Sequence, residues 1–171
     1  MTLTTHAIIG AAAAKIFSFN PILAGLAAFA SHFIIDAIPH WDYQPKSFTK
    51  DPNNPMNNNM KVGKDFMRDL TRISGDASCG VIFSLFIFPP ENVYLFFIIM
   101  IGAFFGIIPD PLQYAYWKIR REPLISLQKF HIWIHSKNKK LSIGRRWVVG
   151  TVLQAVLVIF VVGLTKFYFG V

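Results

Sequence analysis

Acidic residues are scarce in this chain and cysteine is nearly missing. Nine Asp or Glu stand against seventeen Lys or Arg, and Cys79 is the one thiol. A single cysteine excludes an internal disulfide and leaves the redox compartment open. Only 15% of residues are charged, against roughly 25% in an ordinary soluble domain. Several catalytic signatures are also lacking. No HExxH element occurs, which disfavours a zincin-type protease, and there is neither a Gly-x-Ser-x-Gly elbow nor a Gly-rich phosphate loop. No basic residue precedes the first apolar run, so the N-terminus does not read as a cleavable secretory signal.

What is abundant is apolar surface. Hydrophobic residues make up 53% of the 171, Phe alone occurs 17 times, and mean hydropathy is +0.43. That is the composition of a membrane protein rather than of a soluble globule. Five apolar segments stand out, at about residues 6–19, 20–38, 75–88, 92–109 and 147–170. The last meets the roughly 20-residue requirement for a span and the fourth nearly does. The first and third are short, and read as helices packed among neighbours. Tight breaks at "SFNP" and "FPPEN" make helical hairpins of the first four. The expected fold is one all-α, polytopic membrane bundle over residues 1–171.

Fifteen of the seventeen basic residues fall in two polar stretches, 45–72 and 118–146, and neither hairpin turn has any. By the positive-inside bias both stretches are cytoplasmic in a bacterial-type inner membrane. The N-terminus is then inside and the last helix ends outside. Charges placed this way are topology determinants near anionic headgroups, so lipid rather than nucleic acid is the expected partner. The "NNPMNNN" patch reads as a mobile loop.

The ionisable residues segregate on that topology. His6 opens the first apolar segment, "SHFIIDAIPHWDY" (residues 31–43) closes the second, Asp76 opens the third and Asp110 closes the fourth. His131 and His135 lie in the basic stretch. All five histidines therefore fall at the cytoplasmic ends. His32, Asp36 and His40 are spaced by four and share one side of a helix; His131 and His135, also four apart, share one side whether that stretch is helical or extended. Imidazole mixed with carboxylate suits zinc, with iron or manganese as alternatives. The expected metal ligands are His6, His32, Asp36, His40, Asp76, Asp110, His131 and His135. Blander roles compete: packing for His32, helix-end solvation for Asp42 and Tyr43, an N-cap for Asp76. For Asp110, a helix C-terminus is a poor place for an acid, which favours a functional role.

These residues carry a resemblance. "TTHAIIGAAAA", with a His opening a Gly/Ala-rich helix, is similar to the start of the bacterial family of membrane-bound metal-dependent hydrolases, and "GIIPDP" and "IHSK" resemble two later elements of that family. "HFIIDAIPH" resembles the His-x3-Asp-x3-His core of zinc-dependent phospholipase C, a helical enzyme with a tri-zinc site that cleaves phosphate esters. The resemblance covers short motifs between about residues 6 and 135. It implies a hydrolase holding two or three divalent ions.

Such ions would activate a water and clamp phosphoryl oxygens, with Asp42 or Asp76 as general base. Arg72, Lys118, Arg120 and Arg121 are the expected substrate contacts, drawing an anionic headgroup. Residues 123–136 either lie in the interface as an amphipathic piece, with Leu124, Leu127, Phe130 and Trp133 toward lipid, or pack those same residues on the bundle. The reading is a metal-dependent hydrolase of a phospholipid or lipid phosphate. The alternative is a metal-ion or proton transporter using the same cluster, although transporters gather such groups near the midplane. A metal-stabilised scaffold for a cytosolic partner is a third option, resting on the long basic stretches alone.

Overall fold

Backbone amides in apolar surroundings must pair within their own segment, and helices satisfy that demand everywhere except their end turns. The computed structural model describes residues 1–42, 44–136 and 143–169, with 75% of the chain helical. Tyr43 and Lys137 of "IHSK" lie outside the described residues. Seven helices are described: α1 (Leu3–Ile16), α2 (Pro21–Asp36), α3 (Lys64–Ile87), α4 (Val93–Ile107), α5 (Pro109–Ile119), α6 (Leu124–Ser136) and α7 (Ile143–Phe169). A minimal hairpin pairs β1 (Phe48–Thr49) antiparallel with β2 (Asn59–Met60).

The helix starts follow sequence chemistry. Thr2 caps α1 by accepting from Thr5 N, and Asn20 caps α2 by accepting from Ile22 N and Leu23 N, ahead of Pro21 at the first position. Asn92 caps α4 at Leu95 N. Each such cap stabilises by about 1 kcal/mol.

α1 is the central helix and packs against α2, α3, α4 and α7. Small residues permit its approach to α4. A Cβ on Gly106 would sit 2.4 Å from the His6 carbonyl oxygen, so only glycine fits there. Lipid supplies no hydrophobic drive between helices, and close backbone packing of this kind is what holds them together. α3 and α7 also begin toward the end where α1 begins: Asp76 of α3 meets Leu3 and Thr4, and Gln154 of α7 meets Thr2 and Thr5. α2 and α4 return to that end. At the other end, Tyr94 Oη donates to the Ser18 carbonyl at 2.6 Å and joins the two hairpin turns.

Two helices, α3 and the Val148–Phe169 part of α7, are long and apolar enough to cross a membrane. The pair α4 and α5, bent by 45° at Ile108, makes a third if taken as one span. α1 and α2 have 14 and 16 residues and are shorter than a full span. The all-helical, membrane-type expectation therefore holds at this coarser level. Large apolar side chains face outward, among them Phe86 (83% exposed), Phe167 (80%) and Ile159 (72%).

Three details differ from expectation. The third helix starts at Lys64, not near residue 75, because Gly75 costs only about 1 kcal/mol in a helix and no proline intervenes. The fourth apolar segment does not simply stop at the prolines. Pro109 opens a new helix, as proline does at a first position. The "NNPMNNN" patch is folded: Asp51 accepts from Asn53 N and Asn54 N, and Asn54 caps a turn of 3-10 helix at Pro55–Asn57. Met60, Tyr116 and Trp117 form a small core with Phe48, Met56 and Phe66. That core, with Ser47 bonded to Asp69 of α3 at 2.7 Å, fastens residues 44–63 to α3 and α5.

Candidate metal centre

The polar residues meet at the common end of the bundle, and Asp36 is their hub. It is the last residue of α2 and has no solvent exposure. Its Oδ2 lies 3.1 Å from His32 Nε2, 3.3 Å from His131 Nε2 and 3.1 Å from His135 Nε2. Its Oδ1 lies 3.2 Å from His6 Nε2 and 3.7 Å from His40 Nε2. All five histidines of the chain thus turn Nε2 toward one carboxylate. His6 and His32 are fully buried and stacked, with ring centroids 3.9 Å apart.

Each histidine arrives by its own route. His6 is in the first turns of α1, and the Gly106 contact brings α1 close to α4. His32 is one turn before Asp36 on α2. His40 lies past the end of α2, so the four-residue spacing is not one helical face there. The helix stops at Asp36, Pro39 cannot continue it, and the chain turns His40 back toward Asp36. His131 and His135 are successive turns of α6, with their Nε2 atoms 3.0 Å apart. Residues 124–136 are a helix rather than an extended strand; Phe130 and Trp133 are exposed on it, while Leu124 and Leu127 are half-buried.

Two carboxylates complete the rim. Asp110 Oδ1 stands 3.8 Å from His32 Nε2 and 3.9 Å from His131 Nε2. It sits in the first turn of α5, not at a helix C-terminus, so the macrodipole favours its charge instead of opposing it. Asp42 Oδ1 lies 3.0 Å from His40 Nε2, and its side chain is half-exposed. The Met1 amino group contacts Asp42 as well, and lies 3.5 Å from Asp36 Oδ1. Burial works against the Asp42 charge, but the His40 hydrogen bond and the nearby positive groups outweigh it and hold the carboxyl below the usual range.

The tautomers can be read from the backbone. His32 Nδ1 is 2.8 Å from the Gly106 carbonyl oxygen, and His40 Nδ1 is 2.6 Å from that of Ile38. A carbonyl only accepts, so Nδ1 carries the proton and donates it in both cases. In the neutral ring Nε2 then carries a lone pair, aimed at a carboxylate that also offers lone pairs. His6 Nε2, His32 Nε2 and His40 Nε2 are buried and make no aligned hydrogen bond despite their proximity to Asp36. A cation between them would resolve the conflict. Fixing Nδ1–H on a carbonyl is also how ligating histidines are oriented.

The spacing fits. Two donors about 2.1 Å from one ion at the tetrahedral angle stand about 3.4 Å apart, and the separations here run around that value. Three overlapping triads have ligand atoms within 4.8 Å of one another: His6–His32–Asp36, His32–Asp110–His131 and Asp36–His40–His135. Metal-binding geometry is therefore possible among seven of the expected residues.

The remaining expected residues lie elsewhere. Asp76, in mid-α3, accepts from Leu3 N at 2.6 Å, Thr4 N at 3.2 Å and Thr4 Oγ1 at 2.7 Å, so it caps the start of α1 rather than that of its own helix. Lys118 Nζ donates to Asn59 Oδ1 at 2.8 Å and to the Met60 carbonyl at 2.6 Å, which ties α5 to β2. Arg72, Arg120 and Arg121 are exposed. Among the described residues, no Lys or Arg side chain is ion-paired with the Asp36 cluster.

Sequence reasoning missed Gln154. It is buried in α7, and its amide reaches both the start of α1 and the linker that follows α2. The signal was one amide side chain inside the apolar run "WVVGTVLQAVLVIF", where a polar group must find a partner. Fold and site together define an all-helical, membrane-type protein with a buried His/Asp cluster. No protein-family model, curated protein or solved structure matches the chain.

Proposed function

We propose that this protein is a metal-dependent hydrolase, embedded in the membrane, acting on the headgroup of a phospholipid or another lipid phosphate. The observation that carries the reading is the convergence of five Nε2 atoms within 3.7 Å of the two oxygens of Asp36. A carboxylate has about four lone-pair sites, and five imidazolium rings with the Met1 amino group, against Asp36, Asp42 and Asp110, would leave excess positive charge in a buried place.

Two divalent ions, zinc by preference with iron or manganese as alternatives, fit the donors better than three. His32 belongs to two triads, and the Nε2 of a neutral imidazole has one lone pair to give. His32, His131 and His135 lie nearest Oδ2 of Asp36, with Asp110 beside His32 and His131, while His6 and His40 lie nearest Oδ1. When bound, such ions supply an activated water and neutralise charge on phosphoryl oxygens. Asp36 would hold the two sides at a fixed separation. Asp42, half-exposed and kept anionic, is suited to orienting a water at the mouth. Its depressed basicity makes it a weak proton acceptor.

The membrane setting selects the substrate. Two helices long and apolar enough to span, and a cluster at one end of the bundle, suit a headgroup entering from the interface while its chains stay in lipid. The likeness of "TTHAIIGAAAA", "GIIPDP" and "IHSK" to membrane-bound metal-dependent hydrolases, and of "HFIIDAIPH" to zinc-dependent phospholipase C, supports the same chemistry. The positive-inside pattern puts the N-terminus and the cluster on the cytoplasmic face of an inner membrane. A transporter would need polar groups continuing toward the far end. There the described charged groups are Lys15, Glu91 and Lys166, which form no comparable cluster.

The test is elemental analysis of the detergent-purified protein beside Asp36→Ala, with phosphate release from long-chain phosphatidic acid measured on the same samples. About two equivalents of metal and phosphate release in the wild type, both lost in the variant, are expected. A folded, metal-free wild type would overturn the reading, and metal without hydrolysis of any phosphoester would return the cluster to transport.

A further inference from the structure

Beside the metal centre, α2 and α6 enclose an open groove of about 630 Å³. Its lining side chains are all apolar, among them Phe29, Ala30, Phe33, Ala37, Phe130 and Ile134. That volume is in the range of small-molecule sites, but such sites usually add a few polar groups to fix a ligand's orientation, and this groove offers no polar side chain.

The groove and the centre are built on the same residues, one step apart. Phe33 follows His32 and Ala37 follows Asp36, while Phe130 precedes His131 and Ile134 precedes His135. Neighbours on a helix point about 100° apart. The two helices therefore turn donors into the bundle and hydrocarbon onto its flank, over the same two turns. Phe33 is the partition. Its ring packs edge-on against His32 at 5.2 Å and His131 at 5.5 Å on one side, and against Phe130 at 5.0 Å on the other. On the outside the groove meets the apolar surface of the bundle, where Ile34 is 67% exposed.

We infer that this groove seats one hydrocarbon chain of the lipid whose phosphate is held at the Asp36 centre. The inference rests on the hydrolase reading for the headgroup and adds the seat of the chain, so that a long-chain lipid phosphate is recognised by tail and head together. A peptide is a poor occupant, because its amides would find no hydrogen-bond partner among the lining side chains. A free, water-soluble phosphoester would leave the groove unused. A chain lying there is removed from water but gains little relative to bilayer. Specificity must therefore come from the head being fixed next door.

The experiment uses the full chain, loaded with zinc, in phosphatidylcholine nanodiscs. One set is doped with phosphatidic acid carrying a diazirine in mid-chain, the other with diacylglycerol bearing the same chain. Photolabelled peptides from residues 29–37 and 127–134 are expected with phosphatidic acid at no less than fivefold the level seen with diacylglycerol. Ala30→Phe and Ile34→Glu, both at exposed positions, should each cut that labelling at least fivefold. In parallel, Ala30→Phe should lower hydrolysis of phosphatidic acid at least tenfold and leave hydrolysis of para-nitrophenyl phosphate unchanged. Equal labelling by the two probes, labelling indifferent to the variants, or an equal loss on both substrates would overturn the groove assignment. Headgroup-dependent labelling without phosphate release keeps the groove and sinks the hydrolase; phosphate release without labelling does the reverse.

Discussion

Gln154 donates from Nε2 to the carbonyl oxygen of Trp41 at 2.9 Å, linking α7 to the short segment that carries His40 and Asp42. The same segment is pressed against α7 at Gly150, where an added Cβ would lie 2.6 Å from Trp41 N. With α2 ended at Asp36, these contacts are what return His40 to the cluster.

Replacing Gln154 with Leu keeps the volume and removes the amide. The Trp41 carbonyl and the Thr2 and Thr5 hydroxyls lose a partner, at a cost of about 1–3 kcal/mol. Thermal unfolding in detergent should show that loss, and zinc titration should show a weaker site because His40 is no longer held. Unchanged zinc affinity in a destabilised variant would confine Gln154 to folding.

Asp36 and Asp76 make a matched pair of tests. Asp36→Asn keeps the shape but gives up the negative charge and one acceptor oxygen, and bound metal should fall from about two equivalents to below one. Asp76→Asn weakens the anionic cap on Leu3 and Thr4, worth about 1–2 kcal/mol, and should retain the metal. Elemental analysis alongside melting curves separates the two; metal loss in Asp76→Asn would put that residue back in the site.

Gly106→Ala forces a methyl to within 2.4 Å of the His6 carbonyl oxygen. α1 and α4 must separate, which costs about 1–3 kcal/mol or more. The shift also moves the carbonyl that orients His32. Lower thermal stability together with weaker zinc binding is expected, whereas a variant that melts like the wild type would contradict the close packing.

Acid should strip the metal, because imidazole coordinates only when neutral. Burial loosens the proton on His135, but the hydrogen bond and charge of Asp36 outweigh it and raise its pKa. With the proton held above the ordinary value of about 6.5, competition with metal begins on the alkaline side of that value and grows as pH falls. Chelator competition from about pH 8 to about pH 5.5 should show affinity declining across this window. A flat profile would remove His135 from the ligand set.

Much of the site was legible because its chemistry is conspicuous. His6, His32, Asp36, His131 and His135 stand out against apolar neighbours, and their placement at segment ends pointed to one common end. The reasons were less reliable than the residues. His40 was placed by helical spacing, yet it reaches Asp36 through a turn after the helix. Asp110 was expected at a helix C-terminus, since two flanking prolines read equally as a stop or a start, and only the bend at Ile108 decides. Asp76 looked like a site residue because its partners, the Leu3 and Thr4 amides, are distant in sequence. The Gly106 carbonyl was invisible because it acts through a backbone atom that no motif records, and Gln154 showed only as a lone amide whose partners, the Trp41 carbonyl and the Thr2 and Thr5 hydroxyls, are distant in sequence.

α2, with 16 residues and Ile22, Leu26 and Ile34 turned outward, rises only about 24 Å at 1.5 Å per residue. A hydrocarbon layer is about 30 Å thick. A lipid-facing helix this short cannot match it, and a bilayer meeting a short hydrophobic stretch thins around it. The leaflet beside the Asp36 end would dimple toward the protein and lower its headgroups to the level of the histidines. Under the hydrolase reading, the protein would then draw a lipid phosphate down by deforming the membrane, without having to lift a lipid out of it.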